Sequence, residues 1–435
     1  MPERQGTARR AGVVAVVVAL LAPFLAACGG DTSGPLTLDW YINPDNGGQA
    51  ELAASCTAAA GDLYRIQTST LPNDATGQRE QLVRRLAARD ASIALMSLDP
   101  PFVAEFATAG FLRPFNPEEA RGLTDGVLAG PIESGQFNGR LVAAPFWANS
   151  QLLWYRKSVA ARTGIDPTSG TVTWDQLIEA AAGAGATVEV QGARYEGYMV
   201  LISALVASAG GSILKNPEAG KDAEPGIDSE PGRQAAAVIA QLARSPAADP
   251  AIATADEEAA RAGFQGERGG FMANWAYVYG AAQEAVAEGS LDQAVLDDIG
   301  WARYPRTRPD LASRPPLGGI DLAIGAFTPY PDFAVEAVRC ITSEASQRQY
   351  MLKSKNPAAR AAVYDDPEVR RVFPMADVIR ASINDSAPRP KTPYYTDVSA
   401  AVVRTFHPPA DIRPERTPAE AAALIVDVLH DRVLL

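Results

Sequence analysis

Histidine is almost missing from this chain: His407 and His430 are the two present among 435 residues, both near the C-terminus. Neither has a metal-ligand partner four residues on, and no HExxH, CxxC, GxSxG, Walker A or GxGxxG occurs. The chain therefore lacks the usual local signatures of zinc, nucleophilic, nucleotide and dinucleotide chemistry, and no cofactor is expected. Ser212-Ile213-Leu214-Lys215 fits SxxK, but its later companions fail. Lys391-Thr392 is followed by Pro393 and lies only a few residues after Ser382-Ile383-Asn384. Basic residues are also in deficit, 39 Lys and Arg against 51 Asp and Glu, a formal charge of −12. That balance argues against nucleic acid, whose binding depends on cations that neutralise phosphates. A long apolar run is lacking too: Gly12 to Ala22 is followed by Pro23, short of the roughly 20 residues a membrane helix needs. With 47% hydrophobic and 21% charged residues, the remainder is ordinary for a globular protein.

What is there begins with ARRAGVVAVVVALLAPFLAACGG. Arg9 and Arg10, an apolar core and small residues before Cys28 have the layout of a secretory signal over 1–27. Leu25-Ala26-Ala27-Cys28 resembles the bacterial lipobox, which implies that Cys28 is acylated and becomes the mature N-terminus. The expected location is extracytoplasmic, lipid-anchored to the cell membrane, with 28–35 as a polar linker. Cys56 and Cys340 then remain as an even pair in an oxidising compartment. A disulfide between them is expected, the alternative being two buried free thiols.

Along the mature chain, strand and helix patterns alternate at the lengths of an α/β fold. LTLDWYI, YRIQTSTL and IALMSL read as strands, Gln49–Ala60 and Gln78–Ala88 as helices. Asp99 directly follows one strand, the position where α/β sheets hold ligands. Asn116-Pro117, Thr173-xx-Gln176 and Thr417-Pro418-Ala419-Glu420 predict helix starts, the last two as capping boxes. Residues 190–315 read mostly as helix and loop, with 216–232 an exposed loop, and 317–327 returns to a strand pattern. The length calls for two lobes.

APFWANSQLLWYRK (144–157), TWDQLIEAA (173–181), FMANWAY (271–277) and LGGIDLAI (317–324) resemble segments of the solute-binding proteins of sugar ABC importers. With NDATGQREQLVRRL, ALMSLDPPFVAEFATAGFL and AVRCI, the pattern is similar to the actinobacterial trehalose-binding lipoproteins, the LpqY type. The resemblance runs from the lipobox to the region of Tyr395. It implies a periplasmic binding protein-like fold: two α/β lobes with parallel-rich sheets, joined by a multi-strand hinge. Lobe 1 is expected over 36–146 and 318–365, lobe 2 over 147–317 and 366–435. It further implies a non-enzymatic, monomeric binder that hands a disaccharide, trehalose first, to ABC permease transmembrane subunits. Maltose or a larger oligosaccharide is the same-fold alternative, and a lipid-anchored glycoside hydrolase with two flanking carboxylates the enzymatic one.

A sugar needs planar polar groups at its hydroxyl rim and aromatic planes at its C–H faces. The residues the resemblance assigns to those tasks are Asp99, Asn149, Trp275, Glu257 (or its neighbour Glu258) and Arg389. Asn46, Gln78, Tyr277 and Gly319 complete the set, with Arg79, Trp147 and Gly318 as further candidates. Each has a plainer reading: Asp99 as a helix cap, Asn149 as a turn residue, Trp275 as core, Arg389 as a surface charge.

Overall fold

The computed structural model describes residues 35–435 apart from residue 62. The segment 1–27, Cys28 and most of the linker lie outside the described residues. Ten strands are described: β1 Leu36–Ile42, β2 Tyr64–Thr70, β3 Ile93–Leu98, β4 Gln136–Phe137, β5 Arg140–Leu141, β6 Ala143–Arg156, β7 Thr187–Glu189, β8 Gly269–Trp275, β9 Ile299–Ala302 and β10 Leu317–Ile324. Eight form one sheet in the order β2-β1-β3-β10-β6-β8-β7, with β9 also on β6; β4 and β5 form a separate hairpin. The pairs β1–β3 and β7–β8 are parallel. Between them, β10 runs antiparallel to both β3 and β6.

The 14-residue β6 organises the molecule. Ala143–Ser150 pairs with β10, whereas Gln151–Arg156 pairs with β8 and β9. One strand thus serves two partner sets in turn, and the change falls between Ser150 and Gln151. Side chains alternate across it. Leu152 and Trp154 join a core with Phe264, Met272, Tyr364 and Ile379, while Leu153 joins one with Leu177, Leu201, Phe271 and Tyr395. Both faces are covered, and β3, apolar but for Ser97, is buried throughout.

Local chemistry sets most helix starts. Asn116 and Glu119 form a reciprocal capping box, as do Thr173 and Gln176. Thr417 departs from its expected role. It is the first helical residue of Thr417–Leu429, preceded by Arg416 with no side-chain cap. Its hydroxyl is taken by the Arg413 N–H at 3.0 Å, because the turn Arg413–Arg416 feeds the chain in and uses that oxygen first. The stretch 190–315 also holds more strand than its composition suggests: β8 is buried from Gly269 to Asn274, a sheet position that its neighbours decide. The 216–232 stretch is not loop throughout; a helix starts at Glu230, and Ile227 is fully buried.

Cys56, in the helix Gly48–Ala59, is disulfide-bonded to Cys340 in the helix Pro331–Ile341, across 284 positions of sequence. Closing so long a loop restricts the unfolded chain, worth about 2–4 kcal/mol in typical measurements. A Cys56→Ser/Cys340→Ser protein is therefore expected to unfold at lower urea concentration, with a steeper slope because its unfolded chain expands further. An unchanged midpoint would show that the bond contributes nothing. No helix among the described residues is long and apolar enough to cross a membrane.

Candidate functional site

A cavity of about 900 Å3 opens where β6 changes partners. Its floor is the crossing itself: Trp147 and Asn149 from β6, Gly318 and Gly319 from β10. Asn149 lies opposite Gly318 in the ladder, and Gly319 opposite Ala148. Gly319 has φ +123°, and a β-carbon there would come within 2.3 Å of the Trp147 carbonyl oxygen. No other residue fits that position without moving the strand. Gly318 has a different task. A β-carbon on it would lie 2.8 Å from the Trp275 ring, so the indole at the end of β8 lies against the bare glycine.

One wall carries charge. Asp99 follows β3 and precedes Pro100; its side chain makes no capping bond and instead accepts from Arg389, Oδ1 to Nη2 at 2.6 Å. The Arg389 Nη1 donates to Glu196 Oε1 at 2.7 Å, and the Arg389 side chain is 4% exposed. Glu196 also accepts from the Tyr395 and Ser399 hydroxyls. One guanidinium therefore holds two carboxylates in a place with little water. Burial pushes the Asp99 carboxyl above the usual range; Arg389 pulls it down and Glu196 pushes it up again. Arg389 keeps its proton firmly: burial opposes its charge, and Asp99, Tyr395 and Glu196 more than offset that.

A second part of the lining is built from phenols on carboxylates. The Tyr195 hydroxyl donates to Glu257 Oε2 at 2.6 Å, and the Tyr277 hydroxyl donates to Glu258 Oε1 at 2.5 Å. Both phenols are raised, by burial first and then by their carboxylate neighbours. Glu257 lines the cavity. Glu258 is exposed and bound to Arg261 as well, which decides the register between the two. Gln78 lines the cavity from the helix Ala75–Ala87, its amide nitrogen donating to the Pro72 carbonyl at 2.9 Å.

The fold thus gathers Asp99, Asn149, Trp275, Glu257, Arg389, Gln78, Tyr277 and Gly319 around one space. Asn46 is not among them. It is exposed, and its amide donates to the Lys353 carbonyl at 3.1 Å, because the chain turns at Gly47 (φ +93°) into the first helix. Asn43, at the end of β1, lines the cavity instead. Arg79 is committed to Glu105 at 2.5 Å. Sequence reading missed Asn43, Tyr195 and Glu196; the local cues were the strand end before Asn43 and the helix start at Glu196. Several polar atoms of the lining residues are buried without a protein partner: Asn43 Oδ1, Trp147 Nε1 and Arg389 Nε. Such groups cost about 1–3 kcal/mol each when left unmet.

Comparison with known proteins gives a consistent picture. Residues 64–348 match the family described as bacterial extracellular solute-binding protein. A Deinococcus radiodurans protein described as an ABC transporter-binding protein is 27% identical over 271 residues, 60% of this chain. The chain spans 61% of that curated relative's length. Among solved structures, the maltose-bound MalE3 of T. maritima is 24% identical with a TM-score of 0.76, over 92% of this chain and all of that one. The sugar-binding protein MalE of Xanthomonas citri is 15% identical with a TM-score of 0.75, over 91% of this chain and 98% of its own. The fold is of the periplasmic, maltose-binding-protein-like kind.

Proposed function

The chain belongs to the bacterial extracellular solute-binding family, and from that premise we propose that it captures a disaccharide, trehalose first, for an ABC permease. The observation that carries this reading is the Trp275 indole laid against Gly318, in one cavity lining with Asn149 and the Asp99–Arg389 pair. The indole offers a plane to a sugar's C–H face, and the polar groups meet its hydroxyls. Similarity of the sequence motifs to trehalose-binding lipoproteins favours trehalose over maltose.

In this reading the halves flanking the crossing strands are two lobes, 36–146 with 318–365 and 147–317 with 366–435. They close over the sugar by bending at β6 and β10. Acyl chains on Cys28 hold the protein beside its permease, at about 0.8 kcal/mol per buried methylene. The sugar leaves unaltered.

A thermal-shift panel of trehalose, maltose and larger glucans tests the substrate. A ligand at 100 times its Kd adds about 2.7 kcal/mol to stability, so a bound sugar raises the midpoint visibly. Trehalose without a shift, where another sugar gives one, overturns the substrate. Free glucose appearing during incubation overturns binding in favour of hydrolysis. Trp275→Ala is expected to weaken the responding sugar about ten- to hundredfold, or 1.4–2.7 kcal/mol, by calorimetry. Gly318→Val is expected to do the same by lifting the indole, with the fold intact by circular dichroism. Unchanged affinity in both removes the tryptophan from the site.

A further inference from the structure

Asp321 sits on a floor strand of the main cavity without lining it. In the ladder it lies opposite Leu98, the residue before Asp99, and on its other side opposite Pro145. Ile320, just before it, lines the cavity and pairs with Trp147, and the β10–β6 register slips between Ile320 and Asp321. Of two neighbouring carboxyls, Asp99 therefore lines the cavity and Asp321 is sealed beside it, 2% exposed.

The surroundings of Asp321 suit an acid better than its anion. Its Oδ2 is buried with no partner. The Ser134 hydroxyl has one proton for two acceptors, the Pro131 carbonyl at 2.8 Å and Asp321 Oδ1 at 3.2 Å. A carboxylate takes the weaker share of that bond, whereas a carboxylic acid can donate to the hydroxyl in turn. Charged neighbours are few. Arg389 is spent on Asp99 and Glu196. Lys391, two residues on, donates to the Glu133 carbonyl at 2.7 Å, and the Glu133 side chain is exposed. The facing stretch Ala143–Pro145 and the turn Pro100–Phe102 carry no charge. In the helix Pro331–Ile341, also packed on β10, Asp332, Glu336 and Arg339 are exposed. Asp99 thus opposes a charge on Asp321 and Lys391 favours one, on top of the larger cost of burial. A sugar hydroxyl donating to Asp99 fixes the negative charge there and displaces the water that screens it. Repulsion of a charged Asp321 then grows, so sugar and proton each strengthen the binding of the other.

We propose that Asp321 is a proton switch behind the site: the form carrying the proton captures the sugar, and capture weakens in alkali. The inference rests on the sugar reading of the main cavity. Its test is calorimetry on the full chain with trehalose, maltose and maltotriose from pH 6.5 to 9.5. The sugar that binds is expected to lose about threefold or more in affinity across that range. At pH 8 the heat should differ between Tris and phosphate, because binding draws a proton from the buffer. Asp321→Asn is expected to match the parent's affinity at pH 6.5 within twofold and to abolish both the fall and the buffer difference. Should that variant fail to fold, Lys391→Met is expected to move the fall to higher pH, and an unmoved fall overturns the switch. Affinity that is level or rises with pH overturns the switch alone, as does a fall that survives in folded Asp321→Asn. No binding by any of the sugars overturns the reading of the main cavity and the switch with it.

Discussion

Arg389→Ala is expected to abolish sugar binding and to destabilise the fold by about 3–5 kcal/mol near neutral pH, the usual cost of removing one partner from a buried ion cluster. Among the described residues, Arg389 is the one cation paired with both Asp99 and Glu196. Without it the two carboxylates repel each other where water is scarce. The loss should depend on pH in a definite direction. Asp99 already titrates above the ordinary range because of burial and Glu196, and removing the arginine takes away what pulls it down. In acid the Asp99 carboxyl takes up a proton and the repulsion is relieved, so the deficit at pH 5 should be smaller than at pH 8. Urea melts at the two values measure this. A variant as stable as the parent at both would mean that the cluster contributes nothing to the fold.

Asp321→Asn is expected to do the opposite and stabilise the protein in alkali. Asp321 lies on β10 at the irregularity opposite Pro145 and is 2% exposed. Its Oδ1 accepts from the Ser134 hydroxyl at 3.2 Å, and its Oδ2 has no partner. Burial pushes its carboxyl up to about 8, with Asp99 adding to the rise and Ser134 and Lys391 opposing it. The unfolded chain loses this proton near pH 3.8. Between there and about 8 the native state binds more protons, so stability falls as pH rises across that window and stays low above it. Each decade is worth about 1.4 kcal/mol, so the asparagine variant should match the parent near pH 4. By pH 9 it should exceed it by several kcal/mol, about 6 at most. Glu189, raised by burial to about 7, leaves a residual slope of the same sign in the variant. Parallel stability curves for parent and variant from pH 5 to 9 would refute a buried, protonated Asp321.

Both predictions rest on relations that no local pattern announces. The sequence marks Asp99 and Arg389 one at a time as expected sugar ligands, one from its place after a strand and one from family resemblance, and both line the cavity. Read separately, they are two independent ligands for a hydroxyl. The fold sets them against each other across 290 positions and adds Glu196, so each is first a partner of the other. Trp275 tells the same story. Its identity and family position mark it, but its orientation depends on Gly318, which a strand from elsewhere in the chain brings beneath it. Asn46 shows the reverse error: a polar residue near the right strand end, turned away by a glycine one residue later.

The sequence by itself determined what is local or periodic: the strand–helix alternation, the caps at Asn116 and Thr173, the even cysteine pair and the family motifs. Propensity, capping and spacing act over a few residues, so they can be read in order along the chain. Only tertiary structure decided which charges meet, which of Asn43 and Asn46 lines the cavity, and where Asp321 is sealed from water. Those outcomes depend on burial and on distances between segments far apart in the chain, and neither quantity exists until β6 and β10 have paired.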